Sequence, residues 1–279
     1  MSSKYEEELR LARQMAALAD SVTMPRFLSQ DLIVSKKPDN TEVTDVDKSC
    51  EQALRKFLAK NFPSDGIVGE EFGTEIDGKT RYWVIDPIDG TRNFMRGVPN
   101  WATLIGLVEN NEVVVGVVSA PALNRTWFAS KSGGAYTTFN YCGETNLDDA
   151  ASICNCDPTP KKISVSKVTK VSDASIAYSD FKNWNDRLAN FTQLLNEAWR
   201  TRAFGDFWIH MMVAEGVVDA ALEPQLALWD MAALDVIVRE AGGTFSDITG
   251  IDGVFGNSRS EEHTSELQSH LNLVCRLLL

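Results

Sequence analysis

The apolar residues of the chain recur first at the spacing typical of helices. Residues 5–28 carry apolar side chains every three or four positions, which predicts an amphipathic helix that Pro25 kinks or ends. A polar stretch follows, and the helical spacing then returns over residues 48–61. The chain is therefore expected to begin with two helices.

Beyond these helices the pattern changes to short apolar runs. The runs 101–108 and 113–119 flank Asn110-Asn111 and predict two adjacent antiparallel strands joined as a hairpin. Residues 125–129 are expected to continue this sheet as a third strand.

The second half of the chain predicts another sheet with its own helices. Strands are expected over residues 163–165, 175–178 and 218–222, and helices over residues 185–197 and 208–215. A further helix is expected to begin at Asp230 and to end at Gly242-Gly243. Residues 137–159 lack periodicity, so we interpret them as a loop insertion and assign them no chemistry.

One predicted strand ends in acidic residues. Residues 81–85 predict a buried strand, and Pro87 is expected to stop it because proline donates no hydrogen bond to a ladder. Asp86 and Asp89 then lie three residues apart on a turn, with the carbonyl of Ile88 between them. Oxygen ligands of this kind suit Mg²⁺. The alternative is that both acids are ordinary turn and cap residues.

Two other stretches place acidic residues beside apolar elements. Residues 67–73 read IVGEEFG, which predicts a strand ending in Glu70 and Glu71. Residues 228–233 read LWDMAA, which places Asp230 at the start of an apolar helix. Three separate segments thus offer carboxylates.

The composition of the chain indicates its cellular compartment and argues against some classes of binding partner. The net charge of −12 over 279 residues argues against non-specific binding to nucleic acid or to anionic membranes. No signal peptide and no apolar run of membrane-spanning length is evident in the sequence. The five cysteines form no framework typical of secreted proteins, so we interpret them as reduced thiols of a cytoplasmic protein.

Three motifs carry a family resemblance: GEE at 69–71, WVIDPIDGTRNF at 83–94 and WDMAA at 229–233. In this order and spacing they resemble the inositol monophosphatase family of Mg²⁺-dependent, lithium-sensitive phosphatases. The resemblance runs from the N-terminal helix to about Asn257. Within the family, the chain is most similar to histidinol-phosphate phosphatases, on the stretches MRGVPNWATL at 95–104, SAPAL at 119–123, FGDFW at 204–208 and AEGVVD at 214–219.

The resemblance implies an α+β fold, a layered αβαβα sandwich of the sugar-phosphatase type with two sheets and covering helices. It implies a single phosphatase domain over residues 1–258, with the first sheet in residues 1–135 and the second in residues 160–258. Two or three Mg²⁺ ions would be held by the carboxylates of Glu70, Asp86, Asp89 and Asp230 and by the carbonyl of Ile88.

The resemblance also implies roles in hydrolysis. Glu70 and Thr91 would hydrogen-bond the attacking water, and Asp47 is a further catalytic candidate near the metals. Glu71 would be an acid outside the ligand set, and Lys36 would lie on a mobile loop near the metals. For Asp47 the alternative is an ordinary helix cap.

The phosphate group is expected at the turn that carries the ligands. Backbone N–H groups of Gly90 and Thr91 can bind it, an interaction that a helix N-terminus reinforces. Ile88, Asp89 and Asp230 complete the substrate-binding residues at this end.

The resemblance implies that Glu223, seven residues before Asp230, lies beside the organic part of the substrate, because family members place a substrate-contacting residue there. A carboxylate there suits the ammonium of histidinol phosphate, and Asp206 and Trp101 could enclose the imidazole. Arg202 is a candidate for the phosphate or for a pocket wall. Each has an alternative: Trp101 as a core residue, Asp206 as a helix cap and Arg202 as a surface charge.

The implied activity is hydrolysis of a small phosphate monoester, first of all L-histidinol phosphate in histidine biosynthesis. An inositol-1-monophosphatase or a broad sugar-phosphate phosphatase is the alternative within the same chemistry. An inactive, metal-binding relative that acts as a partner protein is the alternative of a different class, and the intact acidic set argues against it. No nucleic acid or membrane partner is expected, and a homodimer is one possible assembly.

The end of the chain is predicted to be foreign to the protein. Residues 259–269 read RSEEHTSELQS, which matches a translated high-throughput sequencing adapter codon by codon. We therefore interpret residues 259–279 as a non-native tail and exclude His263 and His270 as ligands. Because family members continue with a strand and a short helix, the second sheet is expected to lack an edge strand.

Overall fold

The computed structural model describes residues 3–38, 40–139, 159–247 and 250–255, and the backbone of residues 271–275. The helices are α1 Glu6–Thr23, α2 Asp45–Asn61, α3 Thr91–Arg96, α4 Leu188–Glu197, α5 Asp206–Ala214 and α6 Leu228–Glu240. The strands are β1 Val34–Lys36, β2 Glu42–Thr44, β3 Gly66–Gly69, β4 Gly73–Glu75, β5 Arg81–Asp89, β6 Ala102–Glu109, β7 Glu112–Ala120, β8 Arg125–Ser130, β9 Gly134–Phe139, β10 Lys161–Lys162, β11 Ser175–Tyr178, β12 Arg200–Ala203, β13 Ala220–Leu226, β14 Phe245–Asp247 and β15 Leu271–Cys275.

The strands form two large sheets and one small hairpin. The first sheet has the order β10-β9-β8-β7-β6-β5-β3-β4 and is antiparallel except for the parallel pair β3 and β5. The second has the order β12-β11-β13-β15-β14, in which β12, β11 and β13 are parallel and β15 is antiparallel to both its neighbours. β1 and β2 pair with each other.

The helices and sheets form five layers, and apolar clusters pack between them. Met15 of α1 and Leu54 of α2 pack on one face of the first sheet. Helices α5 and α6 fill the space between the two sheets, where Met231 and Leu234 are buried. Phe191 of α4 packs on the outer face of the second sheet. This order of helix, sheet, helix, sheet and helix confirms the predicted α+β sandwich.

Helix α6 of the middle layer approaches the first sheet at two glycines. A Cβ on Gly106 would lie 2.9 Å from Cβ of Ala232, and one on Gly116 would lie 2.5 Å from the carbonyl of Ala233. Side chains at either glycine would therefore push α6 away from the sheet, and with it Asp230.

The two N-terminal helices begin and end where local chemistry dictates. α1 ends at Thr23, short of the predicted residue 28, because Pro25 lies in a 3₁₀ turn that follows it. α2 begins earlier than predicted because Thr44 caps it, its hydroxyl and backbone exchanging hydrogen bonds with Asp47.

The strand that carries the acidic turn is longer than predicted. β5 continues through Pro87 to Asp89, so the expectation that proline stops it was wrong. The ladder with β6 shifts register between Asp86 and Asp89, which marks a β-bulge. Pro87 is tolerated because its missing N–H falls where the ladder is already interrupted.

The hairpin over β6 and β7 and the strands β8 and β11 confirm the sequence predictions. The prediction for residues 163–165 was wrong: Lys161–Lys162 pair with β9 of the first sheet, and the N–H of Ile163 donates to the carbonyl of Ala135. Residues 137–139 of the predicted insertion belong to β9, and residues 140–158 lie outside the described part of the chain.

The second sheet includes one strand from the predicted tail, in its interior and not at its edge. β15 lies between β13 and β14, with Leu273 opposite both Glu223 and Asp247. Residues 271–275 read LNLVC, and such an apolar run can satisfy two open strand edges whatever its origin. The other residues of the predicted tail lie outside the described ones. Within the described residues, no helix is long and apolar enough to cross a membrane.

Candidate active site

Two acidic residues meet because two neighbouring strands are parallel. In the pair β3 and β5, Gly69 lies opposite Ile85, and the N–H of Glu70 donates to the carbonyl of Ile85 at 3.2 Å. Glu70 and Asp86 therefore follow these partners at the same edge of the first sheet.

The centre of the site is a cluster of three aspartates. Asp86, Asp89 and Asp230 each offer a carboxylate oxygen, and these oxygens lie within 4.8 Å of one another. Asp86 and Asp89 flank the bulge of β5, whereas Asp230 is the third residue of α6 and accepts the N–H of Ala227 at 2.7 Å. The structure thus joins residues that are about 140 positions apart in the sequence.

Burial and like charges raise the pKa of each carboxyl in this cluster. For Asp86 burial acts first, and the charges of Glu70, Asp89 and Asp230 add to it. The pKa of Asp230 rises to about 7, mainly through burial. Carboxylates held so close must bind protons or a cation. An all-oxygen donor set of this charge fits a hard divalent ion such as Mg²⁺.

One predicted ligand is already paired with a lysine. Nζ of Lys37, on the β1–β2 hairpin, lies 2.7 Å from Oε1 of Glu70 and 2.7 Å from Oε1 of Glu71. Lys36, the predicted residue, is exposed on β1, so that prediction was wrong by one position. The pKa of Glu71 rises to about 7 because burial outweighs the opposing effect of Lys37.

Glu51 of α2 holds the Glu70-Glu71 turn, a role that the sequence did not reveal. Its buried carboxylate accepts the N–H groups of Glu71 at 2.7 Å and Phe72 at 3.2 Å. A Cβ on Gly69 would lie 2.0 Å from Oε1 of Glu51, so only glycine fits there. The available signal was an acid on the apolar face of a predicted helix, four residues before Arg55.

Thr91 connects the acidic turn to α2. Its hydroxyl lies 3.1 Å from Oδ1 of Asp47 and 3.0 Å from the carbonyl of Ile88. Asp47 also accepts the backbone N–H of Thr44 at 2.9 Å, so it caps the helix and contacts Thr91 at once. With a single proton, the Thr91 hydroxyl can donate to one of its two acceptors at a time.

Gly90 fits the turn because of its backbone. Its φ is +85°, and a Cβ there would lie 2.9 Å from the carbonyl of Asn100. This conformation starts α3 at Thr91, where the first N–H groups of a helix lack partners within it. The turn can therefore offer N–H groups to an anion.

A cavity of about 230 Å³ adjoins the aspartates, and its lining includes Asp89, Ser179, Asp206, Phe207, Glu223 and Asp230. Glu223 is 4% exposed, and one of its carboxylate oxygens accepts the hydroxyl of Ser179. Its other oxygen, Oε1, has no hydrogen-bond partner among the described residues. Burial raises the pKa of Glu223 to about 8.

Two asparagines hold the carboxylate of Asp206 in the cavity wall. The amide groups of Asn93 and Asn100 donate to Oδ2 of Asp206 at 2.7 and 3.2 Å. The next residue, Phe207, donates its N–H to Oδ2 of Asp89 at 2.7 Å. Asp206 was predicted from the sequence, whereas the roles of both asparagines were not, since their partner lies more than 100 residues away.

Two predicted substrate residues lie elsewhere. Arg202 is exposed on the edge strand β12, outside the cavity lining, and donates to the carbonyl of Thr201. Trp101 is fully buried and packs edge-on against Phe94 with ring centres 4.9 Å apart. Arg202 therefore lies where a surface charge would, and Trp101 lies where a core residue would, as the two alternatives stated. Charged residues such as Arg202 are common on edge strands, where they are exposed to solvent. The indole N–H of Trp101 has no hydrogen-bond partner among the described residues, and the ring packs among apolar side chains as a core residue does.

Known proteins are similar to this chain in sequence and in fold. The profile of the Inositol monophosphatase family matches residues 4–277. A histidinol-phosphatase of Streptomyces coelicolor is 50% identical over 255 residues, which cover 89% of this chain and 88% of that protein. A histidinol-phosphatase of Mycobacterium tuberculosis is 43% identical over 254 residues, which cover 90% of this chain and 92% of that protein.

Solved structures agree over nearly the whole chain. An inositol monophosphatase from Zymomonas mobilis superposes with a TM-score of 0.77 at 26% identity, over 98% of this chain and 94% of its own. An IMPase of Thermotoga maritima gives a TM-score of 0.76 at 26% identity, over 96% and 91%. On motifs, fold and site geometry together, the chain belongs to the inositol monophosphatase family.

Proposed function

We propose that the protein is a Mg²⁺-dependent histidinol-phosphatase that hydrolyses L-histidinol phosphate to L-histidinol and phosphate. The observation that carries the proposal is one cavity that adjoins both acidic groups. Its lining includes Asp89 and Asp230 of the aspartate cluster and also Glu223, whose buried Oε1 has no hydrogen-bond partner among the described residues. The two histidinol-phosphatases at 50% and 43% identity support this choice.

The acidic turn is the metal-binding part of this proposal. Asp86, Asp89 and Asp230 would hold the ions, with Glu70 and the carbonyl of Ile88 as further ligands, for two or three ions in all. Bound Mg²⁺ neutralises phosphate oxygens, activates the attacking water and stabilises the leaving oxygen. The crowded carboxylates, each with a raised pKa, gain the counter-charge that they otherwise lack.

Thr91 and Asp47 orient the attacking water with Glu70. Asp47 accepts the Thr91 proton, which leaves an oxygen lone pair of Thr91 to receive a hydrogen bond from water. The proton lost by the water can move through this hydroxyl to Asp47, whose pKa burial raises. Gly90 and Thr91 offer backbone N–H groups to the phosphate at the start of α3.

Glu223 recognises the organic part of the substrate. An ammonium beside its free oxygen would form a charge-assisted hydrogen bond, which is stronger than one to a hydroxyl. Asp206, which also lines the cavity, is a second acidic group for the amine or the imidazole. A neutral polyol such as inositol leaves this pair of acids without a counter-charge, so the cavity favours a cation.

The substrate also fits a cytoplasmic setting. Histidinol phosphate is an intermediate in amino-acid synthesis, and the five cysteines of the chain suit a reducing compartment.

The test is phosphate release from three esters by the metal-stripped protein with added Mg²⁺. We expect kcat/KM for L-histidinol phosphate to exceed that for myo-inositol 1-phosphate and glycerol 2-phosphate by roughly 10- to 150-fold, the ratio that corresponds to one hydrogen bond to a charged group at about 1.5–3 kcal/mol. Equal values for the three esters would indicate a broad phosphatase. Absence of turnover with all three would indicate a non-catalytic relative.

A further inference from the structure

The bulge that separates Asp86 from Asp89 is held by a side chain of the neighbouring strand. Three steps along β5 face two steps along β6 here, so the regular ladder is interrupted. Thr103 of β6 lies opposite the gap, and its hydroxyl donates to the carbonyl of Pro87 at 2.8 Å. A side chain therefore provides the hydrogen bond that the ladder does not.

The same peptide unit holds Asp86 at its other end. Its carbonyl belongs to Pro87, and its N–H belongs to Ile88 and donates to Oδ1 of Asp86 at 2.9 Å. A peptide unit is planar, so a contact that orients its carbonyl also orients its N–H. The Thr103 hydroxyl and the Asp86 carboxylate are thus linked through a single rigid plane.

The surroundings exclude solvent as a substitute partner, and the buried thiol of Cys50, a weak donor, also contacts the Thr103 side chain. Thr103 is 0% exposed, Ile88 is 1% exposed and Asp86 is 2% exposed, so bulk water does not reach the plane. A buried carbonyl that loses its donor is costly to leave unsatisfied. Without the hydroxyl, we expect the plane to rotate toward another donor and its N–H to turn away from Asp86.

We propose that Thr103 is a positioning residue of the metal site, which sets metal affinity by fixing Asp86 through the Pro87–Ile88 peptide plane. The inference rests on the proposed function to the extent that Asp86 is a metal ligand there. Thr103 lies behind the turn and acts on the metal through Asp86.

Three variants test this role. Thr103→Val keeps the shape and removes the hydroxyl, and Thr103→Ser keeps the hydroxyl. Thr137→Val, on strand β9 of the same sheet, removes a buried hydroxyl that donates to the carbonyl of Thr126 at 3.2 Å and accepts from Arg125 at 3.3 Å. It is the matched control, because the chemical change is the same and the metal turn is not involved.

The first measurement is Mn²⁺ binding to the metal-stripped full chain, followed by electron paramagnetic resonance. We expect Thr103→Val to weaken binding roughly tenfold, the effect of about one buried hydrogen bond, and Thr103→Ser to stay within about twofold of wild type. Thr137→Val should bind Mn²⁺ as wild type does. The Mg²⁺ concentration for half-maximal phosphate release should shift in the same order.

The urea midpoint without metal separates positioning from stability. If Thr103→Val loses stability but binds Mn²⁺ with wild-type affinity, Thr103 is only a core residue and the proposal is overturned. If that variant does not fold, Thr103→Ala replaces it, because alanine also lacks a donor. Wild-type affinity in a folded Thr103→Ala would equally overturn the proposal, whereas a weakened one supports it.

The wild type distinguishes this inference from the proposed function. A wild-type protein that binds no Mn²⁺ and releases no phosphate overturns both. A wild type that binds Mn²⁺ and hydrolyses the ester, with unchanged affinity in Thr103→Val, overturns the positioning role alone.

Discussion

The ammonium of Lys37 lies 2.7 Å from Oε1 of Glu70, so the protein supplies a cation to one of its own candidate metal ligands. Burial lowers the pKa of Lys37, but the charges of Glu70 and Glu71 outweigh this effect and raise it. Lys37 therefore stays charged and competes with a metal ion for Glu70.

Replacing Lys37 should strengthen metal binding. Lys37→Gln removes a positive charge beside the site, and we expect the dissociation constant for Mn²⁺ to fall roughly three- to tenfold at low salt. The metal-free protein should become less stable because Glu71, with 2% of its side chain exposed, loses its partner. Calorimetric titration and urea unfolding with EDTA measure the two effects.

Lys36→Gln is the control for charge alone, since Lys36 is exposed on the same hairpin. It should leave both quantities nearly unchanged. Weaker metal binding in Lys37→Gln would show instead that the lysine holds Glu70 in its binding position.

Without metal, stability should fall as the pH rises. Burial raises the pKa of Asp206 to about 6, of Glu71 and Asp230 to about 7 and of Glu223 to about 8. These groups titrate near pH 4 in an unfolded chain. Between those values the folded protein binds more protons, so the free energy of unfolding decreases as pH rises from about 4 to about 8.

His210 acts in the opposite direction, because burial lowers its pKa to about 3 and its contribution is lost as pH falls below about 6.5. The acids outnumber it, so the decline toward pH 8 should prevail. Urea midpoints at pH 5, 6.5 and 8 in EDTA check this, and added Mg²⁺ should flatten the decline. A midpoint in EDTA that rises steadily with pH would contradict the prediction.

Asp86→Asn should separate activity from stability. The loss of a metal ligand should lower phosphate release by roughly 10³-fold, since a metal supplies several kcal/mol to this chemistry. In EDTA the variant should unfold at a higher temperature, because one of several repelling charges is gone, with about 2–4 °C for each 1 kcal/mol regained. Glu112→Gln, in an exposed pair with Lys131 at the other end of the sheet, should change neither. Near-normal turnover of Asp86→Asn at saturating Mg²⁺ would exclude Asp86 as a ligand.

Glu223→Gln should change substrate choice. The substitution keeps the shape and removes the charge, so kcat/KM for histidinol phosphate should fall. The expected loss of transition-state stabilisation is about 1.5–3 kcal/mol, the range for hydrogen bonds to charged groups. Glycerol 2-phosphate, which has no amine, should lose clearly less and serves as the internal control. The quantity to compare is the ratio of the two kcat/KM values before and after the substitution. An unchanged ratio would mean that Glu223 does not read the amine.

The acidic turn could be predicted because its geometry is local. Asp86, Pro87 and Asp89 occupy a short segment after an apolar strand, and this order of residues constrains the backbone by itself. The two sheets and their helices could be predicted for the same reason, since each follows from the period of its own apolar residues.

What could not be predicted depends on contacts between distant segments. Nothing in the Lys36-Lys37 pair shows which ammonium reaches Glu70, because that is decided by the pleat of a hairpin and its position over the site. Asn100 meets Asp206 only because the two halves of the chain pack together. The bulge in β5 was missed because a proline normally ends a strand, whereas here its missing N–H falls at the bulge and its carbonyl accepts the Thr103 hydroxyl.

Strand β15 has a consequence for the behaviour of shortened chains. In the order β13-β15-β14 it covers one backbone edge of each neighbour, including the stretch of β13 that carries Glu223. A chain that ended before residue 271 would present both edges to solvent, and open edges recruit strands from other molecules. Such a chain should accumulate as inclusion bodies or oligomers, and its first intermolecular ladder would form beside the cavity for which we propose substrate binding.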